Sequence, residues 1–400
     1  MTPVHTPSNR NGEEVALPHG WQGTKLKDIC ELNPRRPLLD RDDNAPTTFV
    51  PMPAVAEAGA GITRPELRPY REIRKGYTYF AEGDVLFAKI TPCMENGKHA
   101  IARSLADGIG FGSTEFHVLR PGPRATAEWL HYFVLQPWVI QQAAAHFTGS
   151  VGQQRVPQDD LANLDVPLPP LPEQHRIAER LSEQLAAVAQ ASAAVQAQAE
   201  MLNTLSHAVL RESLRNGKPQ PVRFADCLRE VTEGVGDDWR KYPVLGATRA
   251  GLAPAKEGVG KSPGRYKPVH PGTIFYNPMR ILLGSIAMLD EGESSGITSP
   301  DYVVMTAVPG RLTARWFYYW FRSRYGAEFI KSMTRGAVRE RLLFKRLAPA
   351  TLLVPDWKYQ QTAAAQLAEI KKAKAKLAET QEALTRLPAA LLREAFAGRI

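Results

Sequence analysis

The same text occurs twice in this chain, about 187 residues apart. Gly83-Asp84-Val85-Leu86-Phe87 answers to Gly272-Thr273-Ile274-Phe275-Tyr276. Thr126-Ala127-Glu128-Trp129-Leu130-His131-Tyr132 answers to Thr313-Ala314-Arg315-Trp316-Phe317-Tyr318-Tyr319, and Gly149-Ser150-Val151 to Gly336-Ala337-Val338. Each half closes on a long Ala-, Leu- and Gln-rich segment with matching ends, Ala208-Val209-Leu210-Arg211-Glu212 and Ala390-Leu391-Leu392-Arg393-Glu394. Short periods build solenoids and propellers, whereas a period this long copies whole domains. A duplicated domain with a helix after each copy suits a target that has two matching positions.

Within each copy the pattern is mixed. Short β-branched and aromatic runs between turn residues predict strands. Thr47–Val50, Tyr77–Phe80, Val85–Ile90, Thr273–Tyr276 and Tyr302–Met305 are the clearest. From Thr126 to Phe147 the apolar positions Leu130, Phe133, Val134, Trp138 and Val139 take helical spacing. A second aromatic helix carries Trp316, Phe317, Trp320, Phe321 and Phe329. The fold class is α+β: a tail at 1–19, mixed domains at 20–172 and 217–356, and long helices at 173–216 and 357–400.

The long helices carry heptads. Leu181, Val188, Val195, Leu202 and Val209 recur every seven residues, with Ile177, Ala191 and Leu205 in the companion core position. Ile370, Leu377, Leu384 and Leu391 repeat in the second, with Leu367, Ala373 and Leu387 alongside. A sustained heptad turns the apolar seam into a left-handed supercoil, and some 40 residues make a rod on the order of 60 Å. The two helices can pair with each other inside one chain. Pro388 predicts a kink or break in the second. Four prolines in Val166–Gln174 predict a stiff, extended approach to the first helix, a hinge or alternatively a docking strip.

Charge and cysteines narrow the setting. The formal charge of +9 favours a polyanionic partner. Cys30, Cys93 and Cys227 lie far apart without a pairing pattern, which suits a reducing compartment. The polar, proline-bearing segment before Trp21 is neither signal peptide nor anchor, and no apolar run reaches a membrane span. A soluble, cytoplasmic protein without membrane contact is the expectation.

At this point the residues resemble a family. Lys89-Ile90-Thr91-Pro92-Cys93-Met94-Glu95-Asn96-Gly97-Lys98, Leu168-Pro169-Pro170-Leu171-Pro172-Glu173-Gln174 and the opening Leu17-Pro18-His19-Gly20-Trp21 closely resemble the specificity subunit of type I restriction–modification systems. Tyr276-Asn277-Pro278-Met279-Arg280, Gly284-Ser285-Ile286 and Ser299–Val304 resemble another variant of that family's target-recognition domain. One departure is visible: Val354-Pro355-Asp356-Trp357-Lys358-Tyr359-Gln360-Gln361 leads into the second helix without the proline-rich strip.

The resemblance implies a non-catalytic reader of double-stranded DNA. Each target-recognition domain would read one half of a split site, and the two long helices would pair as an antiparallel coiled-coil spacer. Two methyltransferase subunits would dock on the assembly and methylate adenines with S-adenosylmethionine. A restriction subunit using ATP and Mg can join such assemblies; this chain itself would hold no cofactor. Because the two copies differ strongly in their strands and loops, the two half-sites should differ.

Cations and hydrogen-bonding side chains mark the expected contacts. Arg311 to Arg346 holds ten basic residues against two acids, nearly the whole excess charge. Lys and Arg neutralise phosphates and release counterions, and Arg also reads guanine edges. Arg335, Arg339 and Arg341, with Arg280 in the Asn-Pro turn, are the candidates there. In the first copy the loop Thr148–Arg155 offers Thr148, Ser150, Gln153, Gln154 and Arg155, Gln being suited to adenine edges. Lys89 and Lys98 flank the Pro-Cys turn as phosphate candidates.

Enzymatic alternatives are weak. Gly258-Val259-Gly260-Lys261-Ser262 ends like a phosphate-binding loop, but Ala255 stands where its first glycine belongs. Asn277-Pro278-Met279-Arg280 resembles the base-holding motif of adenine methyltransferases but lacks its second proline and aromatic ring. The nine histidines show no metal-ligand spacing, and His99, His131 and His175 suit surface or packing roles. A coiled-coil scaffold that binds protein or RNA remains the alternative reading.

Overall fold

The computed structural model describes residues 17–145, 147–148, 154–334 and 341–400. The chain divides into two compact units, Met1–Ala193 with Glu382–Ile400, and Ala194–Gln381.

The duplication is structural. The first unit contains a four-stranded antiparallel sheet in the order Cys30–Leu32, Phe116–Pro121, Val85–Ala88, His99–Ile101. The second repeats it as Leu228–Glu230, Val303–Ala307, Thr273–Tyr276, Ile286–Met288. Val85–Ala88 and Thr273–Tyr276 are buried on both faces, which their unbroken apolar text dictates. Each follows a turn with glycine at positive φ, +83° at Gly83 and +88° at Gly272, where a Cβ would be strained. The next side chain caps the turn in both: Asp84 accepts from the Ala81 amide (2.7 Å) and Thr273 from the His270 amide (3.1 Å).

A two-stranded ribbon is also duplicated. Gln22–Lys25 pairs with Asp165–Leu168, and Gln220–Arg223 with Thr351–Val354. So the proline-rich strip is not simply an extended approach: Val166-Pro167-Leu168 is an edge strand, a place where proline is tolerated. The units diverge away from this shared frame. The first adds a mixed sheet, Glu66–Pro69, Pro46–Val50, Ile109–Gly112, Thr78–Ala81. The second adds two small antiparallel pairs, the hairpin Leu245–Thr248 with Gly251–Pro254 and the non-local pair Lys267–Val269 with Gly296–Thr298.

Both expected single helices are pairs. Ala127–Val134 and Pro137–Ala145 break at Gln136, ahead of Pro137. Ala314–Arg322 and Arg324–Thr334 break at Ser323. Trp316, Phe317 and Phe321 are fully buried, so the aromatic run is core.

The long helices span Leu171–Asn216 and Trp357–Phe396. In the first unit the start of one lies beside the end of the other, Ile177 and Leu181 sharing a core with Leu392, Ala395 and Phe396. In the second unit the ends are exchanged: Leu210 shares a core with Ala363, Leu367 and Ile370. That is antiparallel pairing. The expected seam is not followed throughout. Leu205, Ala373 and Leu387 are exposed, and at Leu205 it is the neighbouring Ser206 that is buried. A straight helix drifts about 20° per heptad against a seven-residue repeat, so the seam stays buried only where the helices supercoil. Pro388 lies inside an uninterrupted helix. Its surroundings are partly exposed, so water can take the carbonyl that proline leaves without a donor.

Candidate nucleic-acid interface

In each unit one hydrogen bond ties the far leg of a glycine-led loop to the turn that follows the central strand. The Val156 amide donates to the Lys89 carbonyl at 2.9 Å, and the Leu342 amide to the Pro278 carbonyl at 3.2 Å. Val156 and Leu342 are buried apolar anchors, so the described residues that follow each loop are held beside the turn.

The first unit builds its surface from Lys89–Lys98 and the base of the 148–155 loop. Thr148 and Arg155 exchange both backbone hydrogen bonds, 3.0 and 2.9 Å. The Thr91 amide donates to the Gln154 carbonyl at 3.0 Å, and the Lys89 amide to the Glu115 carbonyl at 2.9 Å. Lys89, Thr148, Gln154 and Arg155 are therefore brought together. Lys98 closes the Pro-Cys turn, its amide donating to the Cys93 carbonyl at 3.0 Å. Ser150 and Gln153 lie outside the described residues. Arg155 makes a bidentate pair with Glu115 at 2.8 and 2.7 Å. Those hydrogen bonds hold the Glu115 carboxyl below its usual range. Arg155 is thus aimed by an acid partner that offsets part of its charge.

Behind this surface stand three buried imidazoles. His117 bonds Asn33 (3.1 Å) and the Val156 carbonyl (2.9 Å), and burial lowers its pKa. His99 stacks on Phe87 at 4.3 Å, and burial takes it down to about 3; burial takes His131 down to about 4. They pack rather than titrate near neutrality.

In the second unit the Tyr276 hydroxyl donates to the Leu342 carbonyl at 2.9 Å, and the Arg341 guanidinium approaches the Met279 sulfur at 3.2 Å. Arg280, exposed in the same turn, lines a cleft of about 810 Å³ with Arg249, Lys256, Arg322 and Lys331. Among the described residues no acid lines it. Arg335 and Arg339 lie outside the described residues.

The basic run Arg311–Arg346 is not one face. Arg315 points at Asp290 and Lys371 joins them, in a cluster where burial pushes the Asp290 carboxyl up but the two cations hold it below its usual range. Arg324 pairs with Glu328 at 3.0 Å. Arg322 bonds the Arg249 carbonyl at 2.6 Å, and so supports the cleft wall. The cations that sequence reasoning missed, Arg249 and Lys256, come from a hairpin turn and the residues just after that hairpin, about 70 to 80 residues before the run's centre. No local pattern marks them.

Other motifs resolve differently. Gly258–Ser262 is loop followed by a three-residue 3-10 turn at Pro263–Arg265, without the long helix whose N-terminus a phosphate-binding loop needs. Among the described residues no His, Cys, Asp and Glu gather as a metal site, and no helix is long and apolar enough to cross a membrane.

Comparison with known proteins agrees with this architecture. Residues 18–196 match the family described as type I restriction modification DNA specificity domain. Over 168 residues the chain is 40% identical to the type I restriction enzyme EcoAI specificity subunit of Escherichia coli, and 38% to that of EcoEI. The match spans 42% of this chain and only 28% of either relative. Among solved structures, one described as the structural basis underlying complex assembly and conformational transition of the type I R-M system aligns at a TM-score of 0.66 and 19% identity. It covers 96% of this chain and 100% of that one. The HsdS subunit from Thermoanaerobacter tengcongensis aligns at 0.55 and 20% identity, over 96% and 99%. At these identities the likeness is one of fold.

Proposed function

We propose that this chain, which through residues 18–196 carries a type I restriction modification DNA specificity domain, is the sequence-specific DNA-reading subunit of such a system. Each unit presents its turn and its glycine-led loop to one half of a two-part target. The paired helices set the spacer between the halves. The chain does no chemistry itself. Two methyltransferase subunits supply S-adenosylmethionine-dependent adenine methylation, and a restriction subunit, where present, supplies ATP- and Mg-dependent cleavage.

What carries this is the repeated hydrogen bond, Val156 to Lys89 and Leu342 to Pro278, which in both units holds the residue that follows the loop segment beside the turn. Around it stand groups of the right chemistry: Lys89, Lys98, Arg280 and Arg341 for phosphates, and Thr148, Gln154 and Arg155 for base edges or backbone oxygens. A cleft in the second unit lined by five cations, and by no acid among the described residues, supports the same partner. Because the units diverge outside the shared sheet, the half-sites are unlike.

Two measurements test it. Affinity of the full chain for random duplex DNA should fall steeply as salt rises, and a flat response would favour a protein-binding scaffold. Mapping methylated adenines in the host genome should give a split, asymmetric motif that vanishes on deletion of this gene. Loss of no motif would overturn the reading.

A further inference from the structure

The turn Asn277–Gly284 is a rigid tip with apolar side chains in solvent. Asn277 accepts from the Met279 amide through its side chain (3.0 Å) and from the Arg280 amide through its carbonyl (3.1 Å). Ile281–Leu283 form a 3-10 turn closed by Gly284 at φ +81°, and Ile281, 2% exposed, anchors it in the core. Yet Met279, Leu282 and Leu283 are 58%, 39% and 69% exposed. Large apolar groups clustered on so short and well-bonded a turn are available for contact rather than for folding.

Their surroundings select the partner. Leu282 and Leu283 share the cleft with Arg249, Lys256, Arg280 and Lys331, and Arg341 sits against Met279. An apolar tip in a cationic collar complements a duplex: anionic phosphates outside, apolar base faces inside. Leu, Met and Ile wedges of this chemistry enter between base pairs, unstack a step and kink the helix. On the premise that the chain reads DNA, we infer that Leu283, flanked by Met279 and Leu282, inserts between base pairs and deforms the half-site bound by the second unit. The collar neutralises the phosphates that the bend draws together.

The matching turn of the first unit is not such a tip. In its corresponding turn Met94 is fully buried, and the exposed residues are Pro92, Glu95 and Asn96. Deformation is therefore a property of one half-site, and the second unit draws specificity from base-step flexibility as well as from direct contacts.

The full chain is tested on relaxed circular plasmid with a topoisomerase, which converts protein-induced unwinding into a linking-number change, alongside affinity for random duplex across a salt series. The wild type should shift the linking number. Leu282→Ser with Leu283→Ser should abolish the shift while keeping the salt slope, and Leu283→Met should retain the shift. Salt-sensitive binding without a shift in the wild type would overturn the wedge and leave the DNA-reading proposal standing. Absence of DNA binding would overturn both. A double variant that keeps the shift but no longer retains purified methyltransferase subunits would assign the tip to a protein partner and overturn the wedge.

Discussion

The side chain of Gln174, wholly buried, accepts a hydrogen bond from the amide of Thr126 at 2.9 Å, 48 residues away in the chain. Its NH₂ donates to the carbonyls of Arg124 (2.8 Å) and Pro169 (2.9 Å). Gln360 does the same in the second unit, accepting from the Thr313 amide (2.9 Å) and donating to Arg311 (3.2 Å) and Pro355 (2.9 Å). Each glutamine locks the first turn of a long helix to the loop that opens the domain helix. The second helix therefore begins like the first despite lacking the proline-rich strip.

Replacing Gln174 by Leu would leave a buried amide, a buried carbonyl and a part-buried carbonyl without this partner. Such groups cost roughly 1–3 kcal/mol each, partly relieved by water or relaxation. The variant should lose about 3 kcal/mol in denaturant unfolding, with Gln360→Leu alike. An unchanged midpoint for either would show that the lock is redundant.

The cations of the second unit should separate by role. Arg249→Ala, Lys256→Ala and Lys331→Ala, each removing a charge that lines the cleft, should each weaken binding to all DNA sequences and lower the salt slope by about 1. Arg315→Ala, from the same basic run, should leave the slope alone. It should instead cost about 2 kcal/mol of stability, because among the described residues Asp290 would keep Lys371 as its one cationic partner in a mostly buried site. A salt slope that fell with Arg315→Ala would return that residue to the DNA face.

Stability of the first unit should depend on pH through its buried histidines. His99 and His131 are held at about 3 and about 4, below the 6.5 of an unfolded imidazole, because burial disfavours the cation. Below 6.5 the unfolded chain therefore binds more protons than the folded one. Stability is full above that value and falls as pH drops toward 4, by up to about 1.4 kcal/mol per pH unit per histidine. His117, lowered in the same direction by burial, adds to this. His99→Gln, which keeps an acceptor for the Ala88 amide, should therefore lower the slope between pH 6 and 4.5 by the share of one histidine of the three. An equal slope in the variant would place the proton uptake elsewhere.

What the sequence made legible was local or repeated. Val85–Ala88 and Thr273–Tyr276 read as buried strands because every residue is apolar or small, and the heptads announced two rods. What it hid was tertiary. Pro355–Gln360 shares only its first and last residues with Pro169–Gln174, and those are the two that the glutamine lock uses. A charge count along Arg311–Arg346 could not show that Arg315 answers to Asp290, nor that Arg249 and Lys256 arrive from another hairpin and the residues just after it. Charge partners are chosen by packing, which no window of sequence contains.

The divergence of the two units makes the last prediction. The shared parts, sheet, ribbon and helix pair, are common to both, while the mixed sheet of the first and the small strand pairs of the second are not. Exchange of residues 20–172 for the first domain of another specificity subunit should therefore alter one half of the methylated motif. The other half and the spacer should stay as they were, since the exchange leaves residues 217–356 intact and nearly all of both helices. The graft must keep Gln174 and supply the backbone around Thr126 that it bonds. Sequencing of methylated adenines in cells carrying the chimera reads all three quantities at once. A change in both halves would mean that the units do not read independently.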